Sequence, residues 1–279
     1  MSVHKIDIQG HRGCRGIYPE NSIPAFIHAT SLGVTTLECD AVISKDHKVI
    51  LSHEPFMSHE ICMTSEGDTI PHINQEDFNI YSLDYEEIKA YDCGSIFVER
   101  FPDQIKQPVH KPSLEDVVLA VNQRLKELGR EDINYNLEIK RKPEWDYSHH
   151  PEYRTFADLV IQQVQDAGIA DFTTIQCFDI ETLQYIRQQH PNVALVYLIE
   201  NENSPETNID KLGFTPEIYS PYYKLVDKHL VDFCASQKMK LIPWTVNETE
   251  DMQRLIDLGV DGIISDYPDR LIKLCNALK

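Results

Sequence analysis

Hydrophobic strand-like runs that alternate with amphipathic helical runs, eight such units by count, and polar residues gathered where the strands end predict an α/β chain closed into a (β/α)8 TIM barrel. Strands buried on both faces read as near-continuous apolar stretches, and 279 residues with 42% hydrophobic content suit one such barrel. The expected organisation is one domain over 1–279, interrupted at 55–111 by an insertion that follows the His53 segment of the second strand-helix unit.

The first strand is read around Lys5 to Gln9. Asn21 to Leu32 then has a polar start, an early Pro24 and a closing Gly33, as helices do. A second strand spans 36–43, a reversal falls at Lys45-Asp46-His47-Lys48, and a further strand through Val49-Ile50-Leu51 ends at His53. The stretch 55–111 is too long for a bare connection and lacks strong periodicity, hence an insertion. At Ser113-Leu114-Glu115-Asp116 a helix begins with a pattern like a capping box, aspartate standing for the usual glutamate. Strand Tyr135 to Lys140, helix Arg154 to Ala167, strand Thr173 to Phe178, helix Ile180 to Gln189 and strand Val193 to Glu200 follow. A weak crossover at 203–215 leads to a strand near Glu217 to Ser220 and helix Val226 to Ser236. Strand Leu241 to Val246, helix Glu248 to Leu258, strand Gly262 to Ser265 and a closing helix near Arg270 to Ala277 complete the chain.

The formal charge of -19 argues against nucleic acid and anionic membrane surfaces as partners, because both need a basic footprint. Seven cysteines, dispersed and never in a C-x-x-C pair, read as reduced core thiols. No apolar run approaches the roughly 20 residues of a membrane span, and Met1 is followed almost at once by the first strand, so the expectation is a cytoplasmic chain without membrane anchoring.

Chemistry concentrates in the first fifth of the chain, in His11-Arg12-Gly13, Pro19-Glu20-Asn21, Glu38-Cys39-Asp40 and His53-Glu54. Glu38 and Asp40 stand two apart on a strand, so both carboxylates share a face and repel unless a cation sits between them. Oxygen ligands suit a hard divalent ion such as magnesium or calcium. Glu138 and Lys140, again two apart, add a third carboxylate and an ammonium beside the pair; the bland alternative is an ion-pair set at a barrel rim. His11 and His53 differ from His4, His28, His47, His59, His190 and His229 by standing at strand ends, where their titration range suits proton transfer. Arg12 can grip a phosphoryl oxygen and Lys140 can add a point charge, although Arg12 is equally well placed to pair with Glu20. The first strand lacks the His-x-His of zinc hydrolase barrels, and Gly13 and Gly16 open no dinucleotide loop. Cys14 and Cys39 read as bystanders.

These residues resemble the glycerophosphodiester phosphodiesterase family of barrels. The likeness runs through His11-Arg12-Gly13, Pro19-Glu20-Asn21-Ser22, Ala25-Phe26, Glu38-x-Asp40, Lys45-Asp46, His53, Pro112-Ser113-Leu114-Glu115-Asp116 and Glu138-Ile139-Lys140. It continues in Trp244-Thr245-Val246-Asn247 and Gly259 to Pro268. The resemblance implies a divalent metal ion on Glu38, Asp40 and Glu138, His11 and His53 as the acid-base pair, and Arg12, Lys140 and Trp244 against the substrate. It also implies cleavage of a small-molecule glycerophosphodiester to glycerol 3-phosphate and an alcohol. Tyr18, Tyr222, Tyr223 and Trp244 are candidates to line the alcohol pocket, although aromatics near barrel mouths more often serve packing. Two positions depart from the pattern: Glu54 stands where aspartate is usual, and Phe56-Met57-Ser58-His59-Glu60 replaces an arginine-containing stretch. The alternatives are a sphingomyelinase D-like enzyme releasing a cyclic phosphate, and a silent barrel that only binds phosphorylated ligands.

Overall fold

A computed structural model describes residues 6–277; Lys5, the expected start of the first strand, and His4, one of the histidines set aside, lie outside the described residues. The elements run β1 (Asp7–Gly10), α1 (Ile23–Leu32), β2 (Thr36–Ile43), β3 (Val49–Leu51), α2 (Tyr85–Ile88), α3 (Leu114–Leu128), β4 (Asn134–Ile139), α4 (Tyr153–Asp166), β5 (Thr173–Cys177) and α5 (Ile180–Gln189). They continue as β6 (Ala194–Ile199), α6 (Pro205–Leu212), β7 (Ile218–Pro221), α7 (Lys228–Ser236), β8 (Lys240–Leu241), α8 (Thr249–Leu258), β9 (Gly262–Ser265) and α9 (Pro268–Ala277). Parallel pairing orders the strands β8-β7-β6-β5-β4-β2-β1-β9, with β3 antiparallel on β2 and outside the ring.

The seam between β8 and β9 corrects one expectation. The strand expected over 241–246 keeps regular pairing only at Lys240–Leu241, because Pro243 has no N–H to give to a ladder. Three backbone bonds close the ring instead: Asp261 N–H to the Leu241 carbonyl (2.9 Å), Ile264 N–H to that of Pro243 (3.0 Å) and Val246 N–H to that of Ile264 (3.0 Å). The weak crossover expected at 203–215 holds α6, started by Ser204, whose side chain accepts from Thr207 N–H. At α3, Ser113 accepts from Asp116 N–H (3.1 Å), but the Asp116 carboxylate takes the Tyr85 hydroxyl, not the return bond of a capping box.

Helices cover the outer faces of the strands, so Leu37, Cys39, Ala41, Leu137 and Ile139 point outward into the main apolar layer. The barrel interior is divided. On β1, β2, β4 and β5 it carries Gln9, Glu38, Asn136 and Gln176, all buried, whereas on β6 to β9 it carries Val196, Ile218, Ile242 and Ile264, packed together with Trp244 against them.

The insertion has its own small core. Met57, Ile70, Ile80, Tyr85 and Ile88 pack on Val42 and Ile50 of the β2–β3 hairpin. There the cysteine expectation fails: Cys62 and Cys93, 31 residues apart, form a disulfide, while Cys14, Cys39, Cys177 and Cys234 are buried thiols. Tertiary folding of the insertion makes the pair, since Met63 N–H donates to the Asp92 carbonyl (2.7 Å) directly beside both cysteines, and no short spacing announces it. Among the described residues no helix is long and apolar enough to cross a membrane.

Candidate active site

The turn after β1 sets up the site. Gly13 N–H reaches back to the Gly10 carbonyl (3.2 Å), so tightly that a Cβ on Gly10 would lie 2.1 Å from the Gly13 oxygen. Between them Arg12 takes φ 49°, and Asn21, which follows the loop, takes φ 51°. Left-handed backbone at non-glycine residues costs on the order of 1–3 kcal/mol each and persists only where surroundings enforce it. Here they do: Arg12 N–H donates to Glu38 Oε2 (2.8 Å), and Asn21 both donates to Asp40 Oδ2 (2.8 Å) and accepts from the Asp40 N–H (3.2 Å). The loop is thus bonded to the acid pair it faces.

Glu38, Asp40 and Glu138 come together as expected, with one oxygen from each within 4.8 Å of the others. Register explains this, because Asp40 lies directly beside Glu138 across the β2–β4 ladder and Glu38 is one pleat below. Burial and the neighbouring Asp40 charge push the Glu38 carboxyl well up. Burial would raise Asp40 too, but Arg12 and Lys140 overcome it and hold that carboxyl far below the carboxylate range. Asp40 Oδ1 is buried without a hydrogen-bond partner. An orphaned carboxylate oxygen inside an all-oxygen trio is what a hard divalent cation would satisfy, so these residues fit such an ion.

Arg12 realises the alternative read beside the phosphate role: Nη1 pairs with Glu20 (2.8 Å) and Nε lies 3.0 Å from Asp40 Oδ2, at an angle that makes an ion pair but no hydrogen bond. Lys140 Nζ sits on Glu138 (2.7 Å) and 3.8 Å from Asp40 Oδ1. Both cations balance the acids while still lining the cavity.

Each histidine is aimed by a carboxylate. His11 Nδ1 lies 2.6 Å from Asp266 Oδ1, leaving Nε2 directed toward Glu38 at 3.9 Å. Burial, then the positive Arg15, pushes the His11 imidazole down to about 4 against the pull of Asp266. His53 Nδ1 lies 2.6 Å from Glu54 Oε1, so the longer acid at position 54 still reaches its histidine. Burial would raise the Glu54 carboxyl, but the hydrogen bond and charge of His53 bring it below its usual range.

A cavity of about 200 Å³ opens over these groups, lined by His11, Arg12, Glu38, His53, Glu138, Lys140 and Trp244, with Asp40 sealed beneath. Of the expected aromatics only Trp244 reaches it. Tyr18 lies against His28 (4.8 Å) and Tyr223 against Tyr222 (5.0 Å), away from the lining, because these rings pack on neighbouring aromatics. Sequence reasoning passed over Arg15, Gln176, Phe178 and Glu200, which line the cavity, and gave no role to Asp266, the residue just after the strand expected over Gly262 to Ser265. A further cation, Lys111, is buried within range of the Glu20 and Glu54 charges; burial outweighs them and pulls its ammonium down to about 8. Gln176 carried a signal in its position, a polar residue on an otherwise buried strand.

A (β/α)8 barrel with an acid trio, balancing cations and two carboxylate-aimed histidines at the C-terminal ends of its strands is an enzyme barrel. The model of the glycerophosphoryl diester phosphodiesterase family matches residues 11–270, and the chain belongs to that family. It is 30% identical over 271 residues to a glycerophosphodiester phosphodiesterase of Caldanaerobacter subterraneus, covering 95% of each chain. A solved Silicibacter pomeroyi structure assigned to the same family is 26% identical with TM-score 0.86, covering 98% of this chain and 94% of that one. An Oleispira antarctica phosphodiesterase, solved with sn-glycerol-3-phosphate, shares the fold at TM-score 0.75 and 19% identity, covering 96% of each chain.

Proposed function

We propose that the chain hydrolyses glycerophosphodiesters to glycerol 3-phosphate and an alcohol, using a divalent ion, Mg2+ or Ca2+, on Glu38, Asp40 and Glu138. The observation that carries this reading is the convergence of the trio, with its orphaned Asp40 oxygen, and two carboxylate-aimed histidines on one cavity. The activity named for the 30% identical relative supports the reaction class. When bound, the ion supplies positive charge to the phosphoryl oxygens.

The protein's own groups do the rest. Arg12 and Lys140 add positive charge beside the phosphate, and Arg15 lines the same wall. His11, with Nδ1–H on Asp266, presents Nε2 as acceptor and takes the proton of the attacking oxygen as its bond to phosphorus forms. The bond from phosphorus to the alcohol oxygen then breaks, and His53, aimed by Glu54, protonates the departing oxygen. Glycerol 3-phosphate release from glycerophosphocholine and glycerophosphoethanolamine, with and without EDTA, tests the reading in wild type and His11→Ala. Release that needs the metal and is lost in His11→Ala is the expected result; no release with magnesium, calcium or manganese overturns it.

The shared β2–β3 floor beneath the insertion supports treating 1–279 as one folding unit. The Cys62–Cys93 bond suits an oxidising compartment, against the expectation of a cytoplasmic chain.

A further inference from the structure

The cavity has two unlike walls. On the side of β1, β2 and β4 every charged side chain is answered: Arg12 by Glu20 and Asp40, Arg15 by Asp266 and Glu20, Lys140 by Glu138, His53 by Glu54. The opposite wall, from the ends of β5 and β6 and the segment after β8, is built of Phe178, Leu198, Trp244 and Glu200. Among the described residues nothing pairs with the Glu200 carboxylate. Phe178 stands edge-on to Trp244, with ring centroids 5.6 Å apart at 88°, and keeps 40% of its surface exposed. The indole is fixed, because its Nε1–H donates to the Ser220 carbonyl (2.9 Å) and its body packs on the apolar interior of β6 to β9.

Resting on the hydrolytic reading above, we propose that this wall seats the departing alcohol and selects alcohols that carry an ammonium group, with Phe178, Trp244 and Glu200 as the specificity-determining residues. Two aromatic faces beside an unanswered carboxylate attract an alkylammonium through ring quadrupole and charge together, while the methyl or methylene groups of the ligand meet Leu198. A neutral polyol needs several hydrogen-bond donors and acceptors, and the rings and leucine of this wall offer none. An anionic alcohol meets Glu200. The glycerol arm, with two hydroxyls, matches the other wall, where charged and amide groups are dense. The substrate is thereby oriented with glycerol over β1, β2 and β4 and the leaving group over β5, β6 and β8.

Two measurements test the subsite. The first compares kcat/KM for glycerophosphocholine with that for glycerophosphoglycerol in wild type, Glu200→Gln and Phe178→Leu. The ratio falls about tenfold in each variant if a cation–π and charge contact is lost; a ratio that stays put in both variants overturns the proposal. The second titrates choline, and glycerol as control, against tryptophan emission in a Trp145→Phe background, which leaves Trp244 as the only reporter of the two tryptophans. Saturable quenching by choline alone, weakened by Glu200→Gln, is expected; no response to choline, or one indifferent to Glu200→Gln, overturns it. If neither diester yields glycerol phosphate, the hydrolytic reading fails by itself and the choline titration still decides the subsite.

Discussion

Gln176→Leu removes the amide that holds the deepest metal-competent carboxylate. Gln176 Nε2–H donates to Glu38 Oε1 (2.7 Å), and its own oxygen accepts from Asn136 Nδ2 (3.1 Å), which also donates to Gln9 Oε1 (2.9 Å). All four side chains are buried, so no water replaces what is lost. Without metal the Glu38 carboxyl is pushed toward its neutral form, so the bond to it contributes about 0.5–1.5 kcal/mol, and the Asn136 N–H left without its partner adds a penalty of about 1–3 kcal/mol. Leucine is of similar size and recovers part of this by apolar packing, which leaves a net destabilisation of about 1–3 kcal/mol in urea unfolding without added metal. The same bond aims Glu38 at the trio, and groups that orient a ligand are worth about 10–100-fold in metal affinity. Mg2+ titrated against the thermal midpoint reads that affinity without reference to activity. If Gln176→Leu unfolds within about 0.5 kcal/mol of wild type and its midpoint rises over the same magnesium range, the amide ladder does not position Glu38 and the reasoning is wrong.

Asp266→Asn keeps the size of the side chain but replaces one of two acceptor oxygens with an NH2 and removes the charge. With Oδ2 taken by Asn247 Nδ2, the NH2 faces His11 Nδ1 and favours the wrong tautomer, so kcat drops by about 10²-fold or more while circular dichroism stays native. Glu54→Ala frees His53 and lowers kcat, and Glu54→Asp restores less than the full rate if the longer side chain sets the 2.6 Å contact; steady-state kinetics of the two variants decide. Cys62→Ser, or reduction of the wild type, costs about 2–4 kcal/mol of stability by releasing a 31-residue separation in the unfolded chain, read as a drop in urea midpoint. Lys111 is held as a buried ammonium with its pKa depressed from 10.5 to about 8, so below pH 8 the charged form opposes folding. Lys111→Met accordingly raises stability at pH 7 by about 3 kcal/mol before packing changes. The gain shrinks as pH climbs from about 8 to 10.5, where the wild-type lysine is neutral in both states; a gain that grows with pH contradicts the sign.

The barrel and the acid pair were legible because both rest on period. Two residues along a strand return to one face, so Glu38 shares a face with Asp40, and Glu138 with Lys140, by spacing; that Glu138 joins the acid pair as a metal ligand was implied by the family resemblance, and the register that sets it beside Asp40 comes from the fold. The start at Ser113 was legible for a local reason, since its hydroxyl accepts from the backbone N–H three residues on, whereas the polar start read at Asn21 belongs to the next residue, Ser22, which accepts from Ala25 N–H. Contacts made by tertiary folding were not. Asp266 is 255 residues from His11, and Cys62 meets Cys93 only through the packing of an insertion with no repeat of its own. Arg12 was left between Glu20 and a phosphate for the same reason, as only the folded loop places both Glu20 and Asp40 within reach. Pro243 is a different case: the break in the seventh barrel strand is written in the sequence, but apolar residues on either side concealed it.

The divided interior links these observations. A barrel filled throughout by aliphatic side chains would leave Glu38 over groups that cannot bond it, and buried carboxylates without partners relax by taking a proton. The amides of Gln9, Asn136 and Gln176 give up apolar burial on one half of the floor and in exchange answer Glu38 from below, while Arg12 N–H answers it from the loop. The carboxylates are then oriented before any cation arrives, and Asp40 Oδ1, the one carboxylate oxygen buried without a hydrogen-bond partner among the described residues, lies inside the trio. The other half keeps its aliphatic filling, and that filling is what supports the Trp244 ring at the opposite wall. One asymmetry in the floor therefore produces both the polar wall, suited to phosphate and metal, and the aromatic wall, suited to the leaving group.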